Sequence, residues 1–369
     1  MEKKIFVITG EVSGDILASK IFKYIDLKKI IVKGIAGSNL KKIGINGPFE
    51  SKDITFFGIT DVLRNIFYIR KKIDETVQYI ETFRPDIVFS VDSPDFVFQV
   101  IKKLRKRKKI RTKFFHFVAP TIWAWREGRG KKIKKLLDKV YLLFKFEEKY
   151  FDKYNVCNQF VGHPFFEEFK IRNYKTSNDN KLISFCPGSR EKEINTFMPI
   201  YLEIIKNYSD RFNYHFAITK GTESLVRKYL KNFNHLKFFV NYDDNLKKEY
   251  LKKSLITISK SGTMSLDLCR EQVPFLTIYK LSWINFLLIK PFVKVKYINI
   301  INIIADKEII PEFIQSNCNS NKIISKLEDL INNQEKLRDM VEEYNLILSG
   351  FSNKDTSKQI ADDLTQNLT

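Results

Sequence analysis

The string PGSR (residues 187–190) places Gly188, Ser189 and Arg190 between the apolar run LISFC and a helical pattern. A helix N-terminus offers backbone N–H groups and a partial positive charge, and an arginine beside it can donate charge-assisted hydrogen bonds. This combination predicts a diphosphate site that needs no metal ion. Taken alone, the string is equally typical of an ordinary strand-to-helix turn with a solvated arginine.

The string SGT repeats this arrangement after the apolar run SLITISK. Ser261, Gly262 and Thr263 precede a helical pattern in which Asp267 lies one turn further on. We expect the Asp267 carboxylate to bind the ribose hydroxyls of a nucleotide. Serine or threonine at a helix start is also common for structural reasons, so the two turns together indicate a nucleotide site better than either does alone.

Asp92 closes a third apolar run, DIVFSV, and precedes Ser93 and Pro94. Serine is a common helix N-cap and proline a common first helical residue. We therefore expect that Asp92 does not cap the helix. A carboxylate at the carboxyl end of a parallel strand is a candidate general base. The alternative is a turn aspartate whose oxygens accept only backbone N–H groups.

The string GEVSGD (residues 10–15) follows the first apolar run. Its glycines would let the backbone approach a ligand closely, but their spacing is not that of the dinucleotide-binding GxGxxG motif. His116 lies inside the run FFHFV and is expected to be an ordinary core residue. His163, in the string GHP, stands where the first half of the chain ends.

Short apolar runs separated by helical patterns must position these residues. The runs cover residues 4–9, 30–34, 87–91 and 114–118, and after a polar stretch residues 182–186, 214–219, 236–240, 255–259 and 275–279. The alternation predicts an α/β chain with two Rossmann-like domains, each built on a parallel sheet. We expect domains at residues 1–165 and 166–345, with a helical tail at 346–369 that packs on the first domain or on a partner protomer.

Composition limits the function classes. The 369 residues include 64 Lys and Arg against 43 Asp and Glu, a formal charge of +21, which suits nucleic acid, an anionic membrane or phosphorylated substrates; an AT-rich genome would also raise the lysine content. Four cysteines without a CxxC pair suggest neither zinc nor disulfides and fit a reducing cytoplasm. We expect no secretory leader and no spanning helix.

Residues 59–73 combine large apolar and basic side chains in one helical pattern. Val62, Leu63, Ile66 and Phe67 adjoin Arg64, Arg70, Lys71 and Lys72, a pattern typical of helices that lie in a membrane interface. Residues 279–297, with Trp283, Phe286, Leu287 and Leu288 beside lysines, form a second such stretch. Core-facing amphipathic helices are the alternative for both.

Taken in order, the strings GEVSGD, FGITDVL, PDIVFSVDSPDF, PTIWAWR, FEEKYFDKYNV, VGHP, PGSREKEI, SGTMSLD and YINIINIIADKEIIPEFIQ resemble lipid-A-disaccharide synthase from residue 10 to about residue 315. The resemblance implies the GT-B architecture, α/β with two Rossmann-like domains facing a central cleft. It also implies an inverting glycosyltransferase that uses no metal and no cofactor. Such an enzyme joins UDP-2,3-diacylglucosamine to 2,3-diacylglucosamine 1-phosphate, giving a β(1→6) disaccharide 1-phosphate and UDP.

The resemblance also implies individual roles. The catalytic aspartate falls on Asp92 and the nucleotide contacts on Arg190 and Asn302. Asp267 stands where relatives carry glutamate, and Ile301 and Asp306 replace a proline and a glycine beside Asn302, so this loop could be shaped differently. The acceptor side is assigned to Glu11, Ser13, Gly14, Arg126 and His163.

The expected location is the cytoplasmic, inner face of the inner membrane, with peripheral attachment and no nucleic-acid partner; a homodimer is left open. Another GT-B enzyme acting on a UDP-amino sugar, such as an epimerase or a peptidoglycan glycosyltransferase, is the alternative within the fold. WAWR and GEVSGD argue against it. A non-catalytic basic protein that binds membranes or nucleic acid is the alternative outside it, and its nucleic-acid binding should fall steeply with salt.

Overall fold

In the part of the chain that the structure describes, each of two compact units contains a six-stranded parallel sheet. The first unit comprises Met1–Glu167 and Asn353–Thr369, and the second comprises Glu168–Ser352. The computed structural model describes residues 2–54, 65–107, 111–124, 128–167, 169–171, 181–262, 264–283, 286–287, 290–293, 295–351 and 355–368.

The central strands of the first sheet are buried on both faces. The strands are β1 (Lys3–Thr9), β2 (Ile30–Ile35), β3 (Ile87–Val91), β4 (Lys113–Phe117), β5 (Lys139–Leu142) and β6 (Asn158–Phe160). Their order is β2-β1-β3-β4-β5-β6, with Val91 beside both Thr9 and Phe117. All five residues of β3 are buried, because a parallel sheet covered by helices on both faces has no solvent side.

Two helical layers cover this sheet. The helices are α1 (Val12–Phe22), α2 (Ser38–Lys42), α3 (Ile66–Phe83), α4 (Pro94–Lys106), α5 (Arg129–Leu136) and α6 (Glu148–Asp152). Apolar side chains of α3, α4 and α5, such as Val77, Val100 and Ile133, share one core. Ile21 of α1 and Leu40 of α2 belong to the core on the other face. Each helix therefore buries one stripe and exposes its charged side.

The second sheet has the strand order β12-β11-β10-β7-β8-β9. Its strands are β7 (Leu182–Cys186), β8 (Asn213–Ala217), β9 (Phe238–Asn241), β10 (Ile256–Lys260), β11 (Phe275–Tyr279) and β12 (Glu312–Ile314). The helices are α7 (Glu191–Tyr208), α8 (Glu223–Leu230), α9 (Asp244–Lys252), α10 (Met264–Arg270), α11 (Ile300–Ala305), α12 (Ser320–Asn332) and α13 (Gln334–Ser349). The strand order reverses between β7 and β10, the place where such sheets bind ligands.

The last helix, α14 (Thr356–Gln366), belongs to the first unit. Ile360 and Leu364 are buried in the same core as α1, and the Thr356 hydroxyl donates to the Val161 carbonyl at 2.8 Å. The residues predicted as one tail are thus divided: those up to Ser349 complete α13 in the second unit, and α14 returns to the first sheet.

The α/β prediction with parallel sheets is confirmed, and the predicted apolar runs are strands. Three strands were not predicted: β5, β6 and β12. Strands β6 and β12 have three half-buried residues each, too few to produce an apolar run. Strand β5 is preceded by lysine-rich α5, which hides its short apolar segment.

Candidate active site and nucleotide site

Asp92 lies at the carboxyl end of β3, where the first sheet reverses its strand order. Asp92 and Ser93 both adopt left-handed backbone conformations, with φ of 59° and 49°. The Asp92 N–H donates to the Phe117 carbonyl at 3.0 Å, and the Ser93 N–H donates to Asp92 Oδ1 at 2.7 Å. Left-handed conformations are costly outside glycine and cluster at functional sites, so this turn is held in place by its surroundings.

Burial raises the pKa of the Asp92 carboxyl, and the hydrogen bond from Ser93, which lowers it, compensates only in part. Within the described residues no lysine, arginine or histidine forms an ion pair with Asp92. A partly desolvated carboxylate without a cationic partner is a stronger base than an exposed aspartate. Asp92 thus has the properties that a general base requires.

Gly10 and Gly14 make room for the Asp92 turn. A Cβ on Gly10 would lie 2.2 Å from Ser93 Oγ, and a Cβ on Gly14 would lie 3.0 Å from the Val91 carbonyl oxygen. At both positions the absence of a side chain lets the protein's own turn approach the backbone; the predicted approach of a ligand to these glycines stays a prediction. Ser93 does hold the N-cap position of α4, but its side chain makes no capping hydrogen bond.

Of the other residues in the GEVSGD string, Asp15 is buried and Glu11 and Ser13 are exposed. Asp15 is buried and accepts hydrogen bonds from the N–H groups of Gly37 (2.7 Å) and Asn39 (2.8 Å), which begin α2. This carboxylate therefore ties the loop after β2 to α1. Glu11 and Ser13 are exposed at the start of α1, on the helix whose Gly14 contacts the Asp92 turn.

Glu147 is a buried carboxylate that the sequence interpretation missed. Its Oε1 accepts a hydrogen bond from Trp123 Nε1 at 3.0 Å, and its Oε2 accepts from the N–H groups of Leu143 (3.1 Å) and Phe144 (3.0 Å). Burial raises its pKa to about 7. Glu147 therefore connects the loop after β4 to the loop after β5. Arg126, which belongs to the same PTIWAWR string as Trp123, lies outside the described residues.

His163 follows β6 and is held as a neutral ring. Its Nδ1 accepts a hydrogen bond from the Phe165 N–H at 3.1 Å, so the ring proton lies on Nε2. Burial, followed by the charge of Lys20, lowers its pKa to about 4. His116 is the core residue expected: it is fully buried, and Ser90 Oγ lies 2.8 Å from its Nδ1.

In the second unit, the PGSR and SGT turns line one cavity of about 310 Å³. They follow the neighbouring strands β7 and β10, so the structure brings the two predicted turns together. The residues lining this cavity are Cys186, Gly188, Ser189, Arg190, Glu193, Ala217, Ile218, Thr219, Lys247, Lys260, Gly262 and Met264. Ser261 lies beside Gly262, and Thr263 is outside the described residues.

The N–H groups expected to face a diphosphate are engaged by a carboxylate. Those of Ser189 and Arg190 donate to Glu193 Oε2 at 2.9 and 3.3 Å. Glu193 thus forms a capping box at the start of α7, and an acidic residue at the third helical position is the sequence sign of such a box. Arg190 keeps an exposed side chain at the cavity.

Two lysines at this cavity were also missed. Lys260 is the last residue of β10, and its Nζ lies 3.1 Å from Glu193 Oε1. Lys247 of α9 pairs with Asp244 at 2.7 Å, and only 16% of its side chain is exposed. Together with Arg190 they make the cavity cationic, as an anionic ligand requires.

Asp267 and Asn302 do not line the cavity. Asp267 pairs with Arg270 at 3.2 Å, and burial raises its pKa. Asn302 is fully buried: its Nδ2 donates to the Ile310 carbonyl (2.7 Å) and to Glu312, and its Oδ1 accepts from the N–H groups of Ile309 and Ile310. In this conformation the Asn302 amide holds its own loop together, and its contact with a nucleotide stays a prediction.

Comparison with known proteins identifies the family. The model of the lipid-A-disaccharide synthetase family matches residues 5–363. The chain belongs to the lipid-A-disaccharide synthetase family. A lipid-A-disaccharide synthase of Rickettsia bellii (strain OSU 85-389) is 33% identical over 362 residues, 94% of this chain and 93% of the relative. That of Rickettsia prowazekii is 31% identical over 376 residues, 97% of both chains.

Solved structures show the same architecture at low sequence identity. A UDP-GlcNAc 2-epimerase from Neisseria meningitidis bound to UDP-GlcNAc has a TM-score of 0.64, with 15% identity, 98% of this chain and 100% of that chain covered. MurG of Acinetobacter baumannii has a TM-score of 0.61, with 13% identity and 99% and 100% covered. The GT-B fold of this lipid-A-disaccharide synthetase family member is therefore confirmed, and the chain is a glycosyltransferase that forms the lipid A disaccharide.

Proposed function

We propose that Asp92 is the general base of the reaction that joins UDP-2,3-diacylglucosamine to 2,3-diacylglucosamine 1-phosphate. The acceptor 6-hydroxyl oxygen bonds to the anomeric carbon of the donor sugar while the bond from that carbon to the diphosphate oxygen breaks. The hydroxyl proton moves to Asp92, and UDP leaves. Attack opposite to the leaving group inverts the anomeric centre and gives the β(1→6) linkage.

The observation that carries this proposal is the state of Asp92 itself. Its carboxylate is partly buried, its pKa is raised, and the left-handed turn at residues 92 and 93 holds it at the carboxyl edge of the sheet. Asp15 and Glu147, two buried carboxylates of the same unit, each accept hydrogen bonds from two or more N–H donors. Among the described residues, Asp92 accepts one hydrogen bond, from the Ser93 N–H to Oδ1, and we propose that its Oδ2 accepts the substrate hydroxyl.

The cationic cavity of the second unit supports the other half of the reaction. Negative charge accumulates on the diphosphate as its bond to the sugar breaks, and positive side chains stabilise that charge in the transition state. Arg190 and the turn at Gly188 and Ser189 supply this stabilisation. Asp267 remains the proposed contact of the ribose, reached from α10 after release from Arg270.

The acceptor side remains a proposal for Glu11, Ser13, Gly14, Arg126 and His163. Glu11 and Ser13 are exposed on the helix that contacts the Asp92 turn through Gly14. His163 can offer its Nε2–H as a neutral donor, because its Nδ1 is taken by the Phe165 N–H.

Incubation with the two acylated glucosamine substrates tests the function directly. We expect disaccharide 1-phosphate and UDP in equal amounts, measured by mass spectrometry and by a coupled UDP assay. Absence of both products in several detergents, with folded protein, would contradict the proposed reaction.

Chelation of divalent metal ions should leave the rate unchanged. Arg190, Lys247 and Lys260 bring three positive charges to the cavity, so the leaving diphosphate has cationic partners within the protein. Initial rates in excess EDTA, with and without added magnesium, measure this. A rate that collapses in EDTA and returns with magnesium would show that a metal ion stabilises the leaving group.

We further propose that the first unit binds the anionic inner face of the inner membrane. Phe67, at the start of α3, is 80% exposed, and Tyr68 is 42% exposed; Val62 and Leu63 lie outside the described residues. The outer side of α5 carries four exposed lysines, Lys131, Lys132, Lys134 and Lys135. Each basic residue near an anionic surface contributes roughly 1 kcal/mol to membrane binding.

The second unit has a further proposed membrane contact. Its Trp283 and Leu287 side chains are 69% and 52% exposed.

No helix among the described residues is long and apolar enough to cross a bilayer. Replacing Val62, Leu63, Ile66 and Phe67 with serine removes the apolar side chains proposed to enter the membrane surface and should release the protein from liposomes that contain acidic lipid, as measured by flotation. Leu346→Ser removes an apolar side chain that is 71% exposed on α13 and serves as the control. If circular dichroism shows that the quadruple variant is unfolded, these residues belong to the core and the docking proposal for α3 is wrong.

A further inference from the structure

The Lys260 ammonium lies between the two turns of the nucleotide cavity. Its Nζ is 3.1 Å from Glu193 Oε1, beside the PGSR turn, and 3.7 Å from the position that a Cβ on Gly262 would occupy, in the SGT turn. The side chain is 26% exposed, so the ammonium is already partly desolvated. Lys247, the other lysine in the described lining of this cavity, pairs with Asp244.

Glu193 occupies the place of an anion at the PGSR turn. One carboxylate oxygen accepts the N–H groups of Ser189 and Arg190, and the other pairs with Lys260. The carboxylate also rests on the bare Cα of Gly188, whose φ is +107° and where a Cβ would lie 2.2 Å from Glu193 Oε2. Backbone N–H groups at a helix start and a cation are the partners that a phosphate oxygen would use.

We propose that Lys260 binds the diphosphate of the nucleotide sugar and that Glu193 is the counter-ion of Lys260 when the cavity holds no nucleotide. The inference rests on the proposed use of this cavity for UDP. The arriving diphosphate competes with Glu193 for Lys260, so the ion pair weakens as the nucleotide binds. Glu193 holds the ammonium between the turns beforehand, and breaking this ion pair costs part of the free energy gained on binding UDP.

Titration calorimetry with UDP and with uridine tests the part of Lys260. Lys260→Met should weaken UDP binding about tenfold to a hundredfold, the value of a charge-assisted hydrogen bond, and should leave uridine binding unchanged because uridine lacks the diphosphate. Lys260→Arg should keep most of the UDP affinity. Lys253→Met removes a lysine that pairs with Glu249 at 2.6 Å on the surface of the same unit and should change neither affinity.

Unchanged UDP affinity in Lys260→Met would overturn the assignment. An equal loss for UDP and uridine would also overturn it, because that pattern indicates a disturbed fold. If the unmodified protein binds no UDP and forms no disaccharide, the proposed function itself is wrong. If the unmodified protein binds UDP and Lys260→Met binds it equally well, only the assignment of Lys260 is wrong.

Glu193→Gln tests the counter-ion. The glutamine oxygen can still accept the N–H groups of Ser189 and Arg190, so the turn keeps its shape while the negative charge is removed. UDP should then bind several-fold more tightly, because Lys260 no longer has to leave a carboxylate. Equal or weaker UDP binding in Glu193→Gln, with an unchanged melting temperature, would overturn the counter-ion part of the proposal.

Discussion

Asp92→Asn should lower the turnover rate by about 10² to 10⁴, the usual contribution of a positioned general base. The amide has the size of the carboxylate but cannot accept the hydroxyl proton. UDP affinity should stay nearly unchanged, because Asp92 is not among the described residues that line the nucleotide cavity. Initial rates and calorimetry with UDP on the same preparation measure both effects.

Asp95→Asn is the matched control for this change. Asp95 lies three residues further along, its side chain is 81% exposed, and it pairs with Arg129. We expect a near-normal rate. Near-normal turnover in folded Asp92→Asn would exclude Asp92 as the base.

The dependence of the reaction rate on pH should report the titration of Asp92. The base must be deprotonated to accept a proton, so the rate falls as pH drops through the pKa of Asp92. Because burial raises that pKa, the acid limb of kcat/KM should lie at higher pH than an exposed aspartate would give. The limb should disappear from the residual activity of Asp92→Asn.

Arg190→Ala should weaken UDP binding by about tenfold or more and lower the rate further. A charge-assisted hydrogen bond contributes about 1.5–3 kcal/mol, and the diphosphate carries more charge in the transition state than in bound substrate. Calorimetry gives the first effect and steady-state kinetics the second.

Lys192→Ala is the control. It removes an exposed charge two residues away, outside the described cavity lining, and should have little effect on UDP affinity or rate. Unchanged UDP affinity and rate in Arg190→Ala would reduce PGSR to a structural turn.

The fold was predictable where burial of a strand or helix produces a pattern among residues that are close together in the sequence. Strands β3 and β7 are buried over their whole lengths, so each appears in the sequence as a mainly apolar run with a single serine inside it. The residues after β1 and β3 lie side by side in the first sheet, and those after β7 and β10 lie side by side in the second, because the strand order of each sheet reverses there. A linear pattern can therefore predict both clusters without showing how the chain is folded.

Side-chain partners were less predictable because they depend on contacts between distant residues. Nothing in the string around Asn302 indicates that its amide folds back on Ile309 and Ile310. The Trp123–Glu147 hydrogen bond joins two loops that are 24 residues apart. Glu193 is an intermediate case, since its spacing from the helix start is that of a capping box and could have been recognised.

The return of α14 to the first sheet affects the order in which the protein can fold during synthesis. The second unit is complete at Ser352, whereas the first still lacks α14, whose Ile360 and Leu364 cover the core beside α1. Thr356 and Asp363 also supply partners to Val161 and Lys139, which were synthesised roughly two hundred residues earlier. The first unit to emerge from the ribosome is thus the last to become complete. A stop codon before residue 356 should leave a chain with a finished second unit and an exposed apolar face on the first, an open surface that proteases and chaperones bind.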